Sequence, residues 1–305
     1  MASSMTVYLI IDAGGTFLKS AVLDFSGNVF PGSALSVCSF SDGTKEQVLA
    51  AFGEIISKGL NFIEENNMKL DGVGIAFPGP FNIEKAVPLM QHKFKAIYGV
   101  DMRECFYEIS AIPRSTPIRF IHDANAVLLG EIWKGNARGY ANASAVTLGT
   151  GLGFAISENG KVLCNEIGGP FLSIFKLPYK DGILEDYTAK RGFVRLYNEL
   201  SGRSDTEEVA VSDIGNWADQ GDEAARQTFR KVGEILAEAL QMILTERQIE
   251  CLLFCGQISR SFHLLKPSLS EGLRDVACLQ KISVVKSIDN AALLGALRNI
   301  NPLNG

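Results

Sequence analysis

"IIDAGGTFLKSAV", residues 10–22, decides how the rest of the chain is read. One apolar run enters Asp12-Ala13-Gly14-Gly15-Thr16 and a second leaves it. The residue pattern predicts strands over Thr6 to Ile11 and Phe17 to Asp24, joined by a tight turn. Ser26-Gly27-Asn28 then turns the chain into a third strand. Gly14 and Gly15 tolerate unusual backbone angles and leave no β-carbon in the way of a ligand. Thr16 offers a hydroxyl, and Asp12 at the strand end can stand near a metal ion carried by phosphates. An ordinary hairpin turn is the alternative reading of the same residues.

The pattern returns in the second half as "TLGTGLGF", where Gly149, Gly151 and Gly153 sit between strand-like runs with Thr147 and Thr150 beside them. Two such turns, one per domain and facing each other across a cleft, can grip a polyphosphate through backbone N–H groups. No G-x-x-x-x-G-K-[ST] is present, which excludes a P-loop. The second turn does not continue as G-x-G-x-x-G and leads into a strand, which argues against a dinucleotide fold. Between the turns the periodicity predicts a helix from Lys45 to Asn66 and a buried strand, Gly72 to Phe77, halted by Pro78-Gly79-Pro80. A strand from Ile118 to Asp123 and a helix from Ala124 to Lys134 follow. After the second turn come a hairpin at Glu158-Asn159-Gly160-Lys161, helices over Asp186–Leu200, Glu223–Arg247 and Asn290–Asn299, and strands at "CLLFCG" and "KISVVKS". Strand, glycine turn, strand, occurring twice, predicts two related α/β domains. Asp123, at a strand end and a helix start, reads either as an N-cap or as the base that takes a proton from an alcohol during phosphoryl transfer.

The chain has 305 residues, 47% hydrophobic and 21% charged, enough for two domains with real cores. A net charge of −5 without a basic stripe disfavours nucleic acid and anionic membranes as partners. No apolar run is long enough to cross a bilayer, and the first apolar segment lacks the features of a signal peptide, so a cytoplasmic location is expected. Six cysteines are scattered without a C-x-x-C pair, and the three histidines lie far from them in sequence. Buried free thiols, and no structural zinc, are expected.

In order along the chain, "DAGGT", "GIAFPGP", "HDANAVLLGE", "LGTGLGF", "EIGG", "LEDY", "CGQIS" and "AALLGAL" resemble the ROK family of sugar kinases and sugar-responsive repressors. The resemblance implies two ribonuclease-H-like, actin-like ATPase domains around a cleft. It places them at residues 1–121 and 122–305, with the last helix, 290–300, packing back on the first. It implies ATP-dependent phosphorylation of a sugar hydroxyl, the 6-hydroxyl of a hexose or hexose derivative, with Asp123 as base. ATP phosphates would lie on Asp12, Gly14, Gly15 and Thr16 and on Gly149, Thr150, Gly151 and Gly153. Adenosine would lie on Gly256 and Gln257, and magnesium near Asp12. Sugar contacts would come from Gly79, His122, Glu166 and Glu185. The alternative is a non-catalytic ROK regulator; no helix-turn-helix precedes "DAGGT". A homodimer fits the family. The departures are specific: His122 stands where the family has Asn, and Gly169 where it has a His that also ligates zinc. The cysteine-rich zinc loop is missing, so a divergent zinc-free branch is implied. Glu166 also reads as a strand-end charge, and Glu185 as a helix-start charge favoured by the helix dipole. His92 falls where the family often runs a loop toward the sugar.

Overall fold

β1 (Thr6–Ala13) and β2 (Phe17–Leu23) pair antiparallel up to the turn itself, with Asp12 opposite Lys19 and Ala13 opposite Leu18. β3 (Leu35–Cys38) extends the sheet beyond β2. α1 (Lys45–Glu65) begins at Thr44, whose side chain accepts from the Gln47 N–H while the Gln47 side chain accepts from the Thr44 N–H. This reciprocal cap satisfies two otherwise orphaned donors. The helix carries the chain back so that β4 (Lys69–Phe77) lies parallel to β1. A small hairpin, β5 (Phe81–Asn82) and β6 (Val87–Pro88), and α2 (Met102–Ile109) follow. β7 (Ile118–His122) then adds parallel to β4, and α3 (Asp123–Lys134) starts without an intervening loop. The sheet order is β3-β2-β1-β4-β7. The structure, a computed structural model, describes residues 4–91, 93–203 and 209–301.

The second half builds the same sheet again. β8 (Ala143–Leu148) and β9 (Leu152–Glu158) form an antiparallel hairpin, and β10 (Lys161–Val162) adds to β9. A small hairpin, β11 (Pro178–Tyr179) and β12 (Gly182–Ile183), leads into α4 (Leu184–Thr188), α5 (Lys190–Ser201), α6 (Val211–Asp219) and α7 (Glu223–Glu246). β13 (Cys251–Cys255) lies parallel to β8. After α8 (Phe262–Gly272), β14 (Lys281–Val284) lies parallel to β13. The order β10-β9-β8-β13-β14 repeats the first sheet in sequence and direction. The stretch expected as one helix from Asp186 to Leu200 is two, broken at Ala189, where ψ is −177°. The break frees the Lys190 N–H to reach the Gly149 carbonyl at 3.0 Å. α2, α6 and α8 are not anticipated by the sequence; each is short, and α8 contains Pro267.

α9 (Ala291–Ile300) lies against β4, β1, β7 and α3. The alternation in "GVGIAF" explains how β4 is covered on both faces. Val73, Ile75 and Phe77 join Val48, Phe52 and Ile55 of α1 in one core, where the Phe52, Phe77, Phe94 and Phe106 rings pack together. Gly72 and Gly74 face the other way, and a β-carbon on Gly74 would stand 2.8 Å from the Ala296 carbonyl oxygen. α3 and α9 approach as closely, since a β-carbon on Gly295 would be 1.7 Å from the Ala126 carbonyl oxygen. By internal contacts the chain forms two units. The first comprises residues up to Lys134, Cys164–Pro170 and Asn290 onward; the second comprises Gly135–Leu163 and Phe171–Asp289. Residues 122–134 thus group with the first unit, beyond the 121/122 boundary read from the sequence, because α3 packs on α9. Among the described residues no helix is long and apolar enough to cross a membrane.

Gly295→Ala forces helix against helix through backbone atoms, so it is expected to cost the first unit about 2–3 kcal/mol, the upper end for an overpacked core. Urea unfolding followed by a probe in the first unit measures it.

Candidate functional site

Parallel strands place their carboxyl ends on one edge, where ligands of open α/β sheets collect. In the first unit β1, β4 and β7 end together, with Asp12 level with Ala76 and Phe77 level with His122. Asp12 and the first residue of α3, Asp123, therefore share that edge. The turn between β1 and β2 is closed by the Gly14 N–H bonded to the Phe17 carbonyl at 2.9 Å, and a β-carbon on Gly14 would meet that oxygen at 2.7 Å. Two buried serines brace it: the Ser39 and Ser41 hydroxyls donate to the Gly15 carbonyl at 2.7 and 2.5 Å. The Ser39 N–H donates to the Thr16 carbonyl at 3.0 Å. The Gly15 carbonyl thus faces inward to the serines.

The two carboxylates differ in charge state. Burial, and then the negative charge of Asp123, push Asp12 up to about 6, with Lys19 pulling the other way. Burial also works to raise Asp123. It is outweighed by the attraction of His122, a hydrogen bond from that ring, the Ala124 N–H and Lys93, which together hold Asp123 below the usual carboxylate range. His122 Nδ1 is 2.8 Å from Asp123 Oδ1, and the Ala124 N–H donates to the same oxygen at 2.7 Å. The opposite ring edge lies against Gly79, where a β-carbon would be 2.5 Å from Nε2. Gly79, which precedes Pro80 in a cis peptide bond, therefore makes room for the ring. Asp123 therefore stands ionised at neutral pH. A carboxylate whose ionisation is opposed by its neighbour's charge, beside a glycine turn, has the chemistry of a donor to a divalent cation that arrives with phosphates.

The turn of the second unit is held differently. The Leu152 N–H donates to Glu185 Oε2 at 2.9 Å, and Arg191 faces Oε1 at 3.7 Å. The Lys190 N–H caps the Gly149 carbonyl, so α4 and α5 clamp the turn from below. The space a Gly149 β-carbon would enter is open to 4 Å. Gly256 (φ +91°) follows β13, where a β-carbon would strike the Leu148 carbonyl oxygen at 2.2 Å. The Gln257 side chain accepts from Arg260 Nε at 2.8 Å, and Arg260 is forked onto Asp289 at 2.9 Å.

Glu166 lies exposed in the turn 164–170, which belongs to the first unit. Asn165 organises that turn, its Oδ1 accepting from the Ile167 and Gly169 N–H groups at 3.1 and 2.9 Å. The Ile83 N–H donates to the Ile167 carbonyl at 2.9 Å, and Asn125 of α3 reaches Cys164 Sγ and the Gly168 carbonyl. The structure thus brings Asp12, Gly14, Gly15, Gly79, His122 and Asp123 to one sheet edge. It gives Glu185 a backbone partner in the second turn. His92 lies outside the described residues. Ser39, Ser41 and Lys93 escape a sequence reading: the serines act through folded contacts that no local period encodes. Lys93 is signalled only as the cation beside His92. Among the described residues no group of three or more His, Cys, Asp or Glu could hold a metal ion by itself.

The fold is that of the actin-like ATPases, and similar proteins narrow it. The family model described as "ROK family" matches residues 8–170 and 178–300. The chain belongs to the ROK family. A glucokinase of Halalkalibacterium halodurans is 24% identical over 282 residues, covering 85% of this chain and 83% of that protein. An N-acetyl-D-glucosamine kinase of Escherichia coli O127:H6 is 26% identical over 318 residues, covering 95% of this chain and 98% of that protein. The crystal structure of a ROK family glucokinase from Streptomyces griseus, in complex with glucose and AMPPNP, superposes with a TM-score of 0.80. It shares 20% identity and covers 96% of this chain and 98% of that one.

Raising a carboxyl on folding stabilises the fold only while the group stays protonated. The Asp12 contribution is present below about pH 4 and lost as pH rises through about 6, by at most about 3 kcal/mol. Asp12→Asn is expected to remove that slope and to melt higher than the native protein above pH 6 in the absence of nucleotide and metal. Paired thermal melts from pH 4 to 8 measure the difference.

Proposed function

We propose that the chain is an ATP-dependent sugar kinase that phosphorylates the 6-hydroxyl of a hexose or hexose derivative, with Asp123 as general base. The observation that carries this is the pairing, on one strand edge, of an ionised Asp123 with a second carboxylate and a braced glycine turn. Phosphoryl transfer asks of a protein little more than positioning, charge neutralisation and a base. The glucokinase and N-acetyl-D-glucosamine kinase relatives support the same chemistry.

Gly14, Gly15 and Thr16, and Gly149, Thr150, Gly151 and Gly153, would hold the phosphates of ATP; Gly256 and Gln257 would take the adenosine. Asp12 would hold magnesium through phosphate or water, and the bound ion would neutralise phosphate charge during transfer. Asp123 takes the proton of the acceptor hydroxyl. That oxygen bonds to the γ-phosphorus as the bond to the bridging oxygen breaks, and ADP leaves with those electrons. Gly79, His122, Glu166 and Glu185 are assigned to the sugar side. His122 has a second task there, since its Nδ1 contact orients the Asp123 carboxylate. No zinc is assigned, because Gly169 offers no imidazole and the following loop no thiol.

An ADP-release screen over hexoses, amino sugars and N-acetylated sugars tests the assignment. At least one acceptor should support turnover, and Asp123→Asn should lower kcat by about 10²–10⁴-fold, the range of general-base catalysis. A variant that keeps native turnover removes Asp123 from the chemistry.

A further inference from the structure

Lys93 has no place in the scheme above, yet it lies on the phosphate turn of the first unit. Its Cδ, Cε and Nζ are 3.2, 3.3 and 3.5 Å from the point a Gly15 β-carbon would occupy. The side chain therefore runs across the outer surface of the turn, in the space that glycine leaves free. Lys93 is half-buried; among the described residues its charge is felt at Asp123, and no hydrogen bond or ion pair holds its ammonium. A lysine that gives up part of its hydration without a direct ion pair or hydrogen bond can take up an anion at little further cost.

Its placement is built, not incidental. The next residue, Phe94, is fully buried and holds a left-handed backbone conformation, φ 50°. Phenylalanine pays for that geometry, and the aromatic cluster with Phe52 and Phe77 holds it there. The Phe94 N–H donates to the Ser41 carbonyl at 2.7 Å, and the Ser41 hydroxyl donates to the Gly15 carbonyl at 2.5 Å. One short chain of contacts thus ties Lys93 to the turn it covers. The positive charge is also felt at the Asp123 carboxylate, which it helps keep ionised.

We infer that Lys93 is a catalytic residue whose ammonium, held over Gly15, contacts the transferring γ-phosphoryl group of the nucleotide. The inference rests on the kinase reading for its catalytic part. As the acceptor oxygen bonds to phosphorus and the bond to the ADP oxygen breaks, charge on the non-bridging oxygens lies beside Nζ. A fixed cation there stabilises the transition state without having to reorganise. Lysine supplies it as a point charge, with no fork geometry demanded of the phosphate. The same ammonium favours the ionised base.

The test uses the full chain, Lys93→Met, Lys93→Arg and Asp123→Asn. Expected for Lys93→Met is a fall in kcat of about 10²-fold or more, the usual effect of losing one charge-stabilising group. The KM for the sugar should stay within about threefold, and Lys93→Arg should recover at least about tenfold of the loss. Calorimetric titration with AMPPNP and with ADP, each with Mg²⁺, should show Lys93→Met weakening AMPPNP at least about tenfold while ADP changes little. Unchanged kcat, a loss confined to the sugar KM, or equal weakening of both nucleotides would overturn the assignment. If the native protein turns over no acceptor while the selective loss of AMPPNP persists, the phosphate contact stands and the kinase reading falls. Asp123→Asn, which keeps Lys93, should retain the AMPPNP preference.

Discussion

Three parallel strands that end at the same level force carboxylates together. β1, β4 and β7 are locked in register by their backbone ladders, so the residues that leave their ends cannot avoid each other. Asp12 and Asp123 meet on that account, and the repulsion between them is a standing cost to the empty protein. Everything nearby serves to contain or exploit that cost. His122 and the Ala124 N–H settle the charge on Asp123, Gly79 clears space for the imidazole, and two serines hold the adjoining turn from behind. A protein selected only for stability would place an amide or an alanine at position 12. An acid kept at that cost fits the magnesium role proposed for Asp12.

The two sheets share strand order and direction, yet they are equipped for different tasks. The first carries the acids. The second has Thr147 and Leu148 at the end of its leading strand, where the first has Asp12 and Ala13. Its turn is held from below by one carboxylate oxygen of Glu185 and by the Lys190 N–H, each bonded to a backbone group. Duplicated topology thus supplies two glycine turns of the same kind, while the side chains around them differ: paired carboxylates beside one, a carboxylate that binds a backbone N–H beside the other.

Much of this was legible in the chain because glycine turns and strand periodicity are local signals. "DAGGT" and "GTGLG" read as turns between strands, and "GVGIAF" as a buried strand, since a few neighbouring residues decide each. The role of the glycines in "GVGIAF" was not legible: Gly72 and Gly74 are small because α9 arrives from more than two hundred residues away. The break at Ala189 is invisible for the same reason, since the Lys190 N–H it frees finds its partner at the distant Gly149 carbonyl. Glu185 read as a helix-start charge or a sugar ligand, and only the folded chain shows its partner at Leu152. Nothing local marks Lys93, for no pattern tells that a lysine will lie across a distant glycine.

The interleaving of the two units sets an order of assembly on the ribosome. The second unit is nearly continuous, Gly135–Leu163 and Phe171–Asp289, and can close as soon as its last strand has emerged. The first cannot. Its sheet is translated early, but the glycine faces of β4 and the small-residue seam of α3 stay uncovered until α9 has been made. While the second unit is being made, the nascent chain therefore carries an open apolar flank on the half that bears the acids. Only α9 seals it, so the whole second unit is translated before the carboxylate edge is backed by a complete core.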